Sequence, residues 1–64
     1  MTVREVLKKL RADGWYVCRQ KGSHRQLKHA TKAGIVTVAG KLSEDVKFGT
    51  AASIFKQAGL AKDK

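Results

Sequence analysis

The sequence predicts an α+β domain of order helix, strand, strand, strand, helix, in which a three-stranded antiparallel sheet carries both helices on one face. Three observations predict it. An apolar stripe of helical period opens the chain behind a capping pattern. Three short runs of strand-forming residues follow, separated by glycine-containing turns. A second helical stripe then leads up to Gly59.

Thr2 and Glu5 stand three apart, the spacing at which a hydroxyl and a carboxylate each satisfy the other's backbone amide at a helix start. Val3, Val6, Leu7 and Leu10 then fall on one face at i, i+3, i+4 and i+7, and Arg4, Lys8, Lys9 and Arg11 take the others. Gly14 stops this helix, because glycine accepts the left-handed backbone that a helix C-terminus often needs. Trp15-Tyr16-Val17-Cys18-Arg19 is aromatic and β-branched, and reads as the first strand. Cys18, set among those residues, is expected to be a small buried hydrophobe.

Lys21-Gly22-Ser23 is a turn, and His24 to His29 makes a second strand with Leu27 as its one strongly apolar residue. Thr31-Lys32-Ala33-Gly34 is the next turn, and Ile35 to Val38 the third strand. Connections this short join antiparallel neighbours. Gly40 to Asp45 is polar and irregular. Val46 to Ala58 forms the second helix, with Ala51, Ile54, Phe55 and Ala58 on its apolar face; its start is open among Ser43, Lys47 and Thr50. Gly59 closes it, with Leu60 as the contact that accompanies such caps. Ala61-Lys62-Asp63-Lys64 reads as a tail, frayed over 62–64, of a single domain spanning 1–64. Two amphipathic helices must bury their stripes on one side of the sheet. This α-β-β-β-α plan is that of double-stranded-RNA-binding domains, which read RNA by shape, phosphates and 2′-hydroxyls.

Fourteen Lys and Arg against five Asp and Glu leave a formal charge of +9, the electrostatic footprint of a polyanion binder. The cations are scattered over every segment, which favours nucleic acid over a membrane surface. No run approaches the ~20 apolar residues of a membrane span. With Cys18 alone, neither an internal disulfide nor a cysteine-based zinc site is possible, which fits a reduced, cytoplasmic setting.

With Leu27 facing the core, strand alternation turns Arg25 and His29 inward and sets His24, Gln26 and Lys28 on the open face. A histidine titrates near neutrality and suits proton transfer. Metal-free RNA cleavage needs a base for the ribose 2′-hydroxyl and cations for the charge that develops on phosphorus. His24 serves as base or acid, with Lys21, Arg25 or Lys28 as charge stabiliser. The alternative is that His24 is an ordinary polar residue after a tight turn, in a non-catalytic RNA-binding module. His29 reads as a strand-end residue. The two histidines face opposite ways, so they form no metal pair, and no cofactor is expected. Ser23 lacks an acidic orienter for a triad, and Gly22-Ser23 offers an unspecific amide cradle for phosphate. One of Trp15 and Tyr16 at least belongs to the core.

Arg19-Gln20-Lys21-Gly22-Ser23-His24 resembles the Gly-Ser-His signature of the HicA family of toxin ribonucleases. Gly49-Thr50 with Ile54-Phe55-Lys56-Gln57-Ala58-Gly59-Leu60 is similar to that family's closing helix, and Gly14-Trp15 also fits. The resemblance spans nearly the whole chain. It implies a double-stranded-RNA-binding-like fold, cleavage of messenger RNA, and inhibition by a HicB antitoxin that covers the site. It also implies that His24 is the catalytic histidine. From the residues themselves, Lys21, Gly22, Ser23, Arg25 and Lys28 are expected to contact the RNA around it.

Overall fold

Helix α1 (Val3–Ala12) starts at the expected capping box: the Thr2 hydroxyl accepts from the Glu5 amide at 3.2 Å, and the Glu5 carboxylate accepts from the Thr2 amide at 2.7 Å. Its free first-turn amides are satisfied from a distance. Val3 N–H donates to the Glu44 carbonyl (2.9 Å) and Arg4 N–H to that of Leu42 (3.0 Å), so the irregular loop after the sheet is pinned to the helix start. The helix buries Val3, Val6, Leu7 and Leu10, the predicted stripe, and ends at Gly14 with φ +103°.

The computed structural model describes residues 1–60; the tail read at 61–64 lies outside the described residues. After α1 come β1 (Trp15–Lys21), β2 (His24–His29), β3 (Val36–Ala39) and α2 (Phe48–Gln57). The strands form one antiparallel sheet in the order β1-β2-β3, with β2 central. Trp15, Leu27, Val36 and Val38 face the helices and share the core with the α1 stripe and with Ala51, Ile54 and Ala58 of the α2 segment. Both helices therefore cover one face, and the other is open, as the sequence predicts. Burying a side chain such as Leu27 contributes about 2 kcal/mol, so a handful of them sustains a core this small.

Three expectations are corrected. Cys18 is exposed, because the register with β2 shifts between Val17 and Arg19; this β-bulge puts Cys18 outside the alternation, where its thiol donates to the Gln26 carbonyl at 3.3 Å. The third strand begins one residue later than read, leaving Ile35 half-exposed ahead of it. Helix α2 begins at Phe48 rather than at the outer bound Val46; of the starts left open it is Lys47 that caps the helix, without a side-chain bond, and Val46 N–H goes to the Met1 carbonyl (2.7 Å).

The far end of α2 closes as expected. Gly59, at φ +74°, donates to the Lys56 carbonyl (3.1 Å) and Leu60 to that of Phe55 (2.8 Å), the paired bonds of a Schellman cap.

Candidate functional site

The open face of the sheet is built by the residues that alternate away from the core. On β2 these are His24, Gln26 and Lys28, all exposed, while Arg25 and Leu27 are buried. Cross-strand pairing sets Lys21 beside His24, Arg19 beside Gln26 and Tyr16 beside Lys28; on the other side Ala39 flanks His24 and Thr37 flanks Gln26. His24 thus stands near one end of the central strand with Lys21 as its neighbour. Arg19, Lys21, His24, Gln26 and Thr37 line a shallow depression of about 280 Å³.

The hairpin turn ahead of His24 is Gly22-Ser23, and Gly22 has φ +59°, as the first residue of a type II′ turn requires. The turn is held from below. Gln20 Nε2 donates to the Gly22 carbonyl (3.1 Å), Gly40 N–H to the Ser23 carbonyl (3.1 Å), and Arg25 Nη1 to the carbonyls of Ser23 (3.2 Å) and Gly40 (2.9 Å). Arg25 was expected among the RNA-contacting cations around His24. It is instead 8% exposed and lies on the helix side of the sheet, because β2 alternation turns it inward and two carbonyls engage its guanidinium. It fixes the turn that carries His24. Lys21, Gly22, Ser23 and Lys28 are all exposed.

The acidic side chains are confined to one side of the sheet. The described carboxylates all lie on the helix side or in its loops, each with a partner. Glu5 caps α1, Asp13 meets Lys32, Glu44 accepts from the Lys41 amide, and Asp45 faces the N-terminal ammonium. Among the described residues, the open face carries Arg19, Lys21 and Lys28 with no acidic side chain to offset them.

The two histidines have opposite fates. His29 is half-buried, with its ring edge-on to Trp15 at 5.3 Å. Its Nδ1 accepts from the amides of Thr31 (3.0 Å) and Lys32 (3.2 Å), so the ring proton sits on Nε2 and is donated to the Asp13 carbonyl at 2.6 Å. Both nitrogens are engaged. The His24 imidazole is exposed and makes no hydrogen bond with the described residues. No three of the described His, Cys, Asp and Glu side chains converge as a metal site would require.

The family model for the HicA toxin of bacterial toxin-antitoxin systems matches residues 3–60, nearly the whole chain. The chain belongs to this family. It is therefore the toxin component of a toxin-antitoxin system, a class defined by a cognate antitoxin. A comparison with curated proteins gives no match. None of the toxin's described helices is long and apolar enough to cross a membrane.

The inward Arg25 clamp and the His29 anchor lay beyond the sequence reading. Alternation from Leu27 already pointed both side chains inward, but nothing local marks the Gly40 and Asp13 carbonyls they reach, which lie 15 and 16 residues away in the chain.

Proposed function

We propose that this toxin is an endoribonuclease that cleaves messenger RNA in the cytoplasm, with His24 as its catalytic acid/base and no metal in the chemistry. The observation that carries the reading is the contrast between the histidines: His24 is exposed on a cationic face with its ring nitrogens uncommitted to the described residues, whereas His29 has both engaged. In this reading His24 takes the proton from a ribose 2′-hydroxyl. The 2′-oxygen then bonds to the adjacent phosphorus, and the bond to the 5′-oxygen breaks. The products are a 2′,3′-cyclic phosphate and a 5′-hydroxyl, whose proton comes from water.

Lys21, paired with His24 across the hairpin, stabilises the extra negative charge at phosphorus, and Lys28 holds the flanking backbone. Gly22 and Ser23 meet the phosphate at the exposed turn. Arg25 serves by fixing that turn rather than by touching RNA. A HicB-type antitoxin silences the enzyme by covering His24 and the cations beside it.

The test is incubation of wild-type and His24→Ala protein with mixed-sequence single-stranded RNA in excess chelator. The expected result is cyclic-phosphate ends from the wild type alone, with both proteins binding RNA. Equal cutting by the variant would sink the role of His24. Binding without cutting by either protein would leave a non-catalytic RNA-binding module.

A further inference from the structure

A second depression lies away from His24. It measures about 540 Å³ and runs along the outer side of α1, where Arg4, Lys8 and Arg11 stand at i, i+4 and i+7 on one exposed face. Leu7 and Leu42 form an apolar floor, Gln20 and Arg25 close the hairpin end, and no carboxylate lines it.

A row of like charges spaced by helical turns weakens the helix that bears it, and Arg4 faces the positive end of the α1 dipole, while Arg11 in the last turn complements the negative end. None of these three cations pairs with a carboxylate among the described residues. The mutual repulsion of the row is thus offset by no carboxylate among the described residues. We propose that this groove is a second nucleic-acid contact, an anchoring track for the phosphodiester backbone flanking the RNA bond at His24.

The chemistry favours a phosphodiester strand over an acidic protein surface. The cations follow one another about 6 Å and then 4.5 Å along the helix axis, a linear series that a polymer charged at every residue matches without any fold of its own. The apolar floor suits ribose faces. Continuity with the His24 face is the second argument. Gln20 and Arg25, which close the groove, are direct cross-strand partners, and the next pair along, Lys21 and His24, turns to the open face. A strand passing over the exposed Gly22-Ser23 tip meets cations on both sides. Gln20 and Arg25 also hold that tip from beneath, so the groove ends at the turn that positions His24. This inference rests on the ribonuclease reading for the direction in which the strand continues.

The experiment compares Lys8→Ala/Arg11→Ala with a charge-matched control, Lys9→Ala/Lys56→Ala, whose residues are exposed and lie outside this groove. Alanine suits all four helical positions. Binding to a single-stranded RNA of about twenty nucleotides is measured across salt concentrations, and cleavage is measured on a trinucleotide too short to span both faces. The groove variant is expected to bind the long RNA roughly tenfold more weakly, with a salt slope shallower by about 1.4, and to cut the trinucleotide at the wild-type rate. The control is expected to stay within about twofold of wild type.

Equal weakening in the two variants, or undiminished binding by the groove variant, would overturn the proposal. So would a groove variant that keeps its RNA affinity but loses binding to polyglutamate, which would assign the groove to an acidic protein. A wild type that binds RNA through the groove but cuts neither substrate would overturn the ribonuclease reading and leave the groove standing.

Discussion

The Lys32 ammonium lies 2.5 Å from the Asp13 carboxylate and 3.1 Å from the Ala58 carbonyl, so one side chain of the β2–β3 loop joins the C-terminal ends of both helices. A cation there complements two helix dipoles at once. Lys32→Met is expected to lower Tm by several degrees and leave RNA binding on the open face unchanged. Thermal melts read beside an RNA titration check this, and an unchanged Tm would show the bridge to be incidental.

The same contact sets an acid limit. The hydrogen bond from Lys32 holds the Asp13 carboxyl below its ordinary value, against the opposing effect of partial burial. A carboxyl depressed by folding contributes stability that is fully present above its unfolded-state pKa and is lost as pH falls through the lower folded value. Stability should fall as pH drops below the ordinary carboxylate range, and Asp13→Asn should flatten that limb. Urea unfolding across acidic pH distinguishes the two curves; parallel curves would assign the acid loss to other groups.

Gly14 and His29 allow no side chain between them. A Cβ at Gly14 would lie 2.7 Å from His29 Nε2, at a backbone φ of +103°. Gly14→Ala is expected to cost about 2 kcal/mol or more from backbone strain and the displaced ring. Gly22→Ala meets nothing within 4 Å and bears only the strain of its φ of +59°, so it should cost less. Chemical denaturation of both variants tests the ranking.

The two histidines should separate stability from activity. His29→Ala removes bonds to Asp13, Thr31 and Lys32 and the packing on Trp15, and is expected to destabilise by about 2 kcal/mol while the folded fraction still cuts RNA. His24→Ala is expected to keep wild-type stability and abolish cutting. A His29→Ala protein that is folded but inactive would move the chemistry away from the open face.

Arg25→Met should show an intermediate pattern. It strips a donor from the Ser23 and Gly40 carbonyls, a loss of about 1–3 kcal/mol, and frees the turn ahead of His24. Cleavage should drop even where the protein is fully folded, with RNA affinity nearly kept. A fall in affinity with the same salt slope change as a lost phosphate contact would return Arg25 to the RNA surface.

Local pattern made much of this legible. The Thr2–Glu5 box, the α1 stripe and the outward set His24, Gln26 and Lys28 all follow from spacings of two to four residues, and the structure has them as read. What escaped depends on distant partners. The bulge that exposes Cys18 is a matter of register against β2, the start of α2 is fixed by the bond from Val46 to Met1, and the inward guanidinium of Arg25 reaches a carbonyl beyond β3. Arg25, turned inward by strand alternation yet also grouped with the RNA-contacting residues, is a strut beneath the surface.

The bulge also gives the molecule a built-in reporter. It turns the chain's single thiol outward, hydrogen-bonded to Gln26 on the strand that bears His24. A maleimide dye will therefore attach at one defined point beside β2 without any engineered cysteine. A ligand that covers β2 at Gln26 is expected to slow labelling of the sulfur, so the labelling rate reports occupancy there in the unaltered protein.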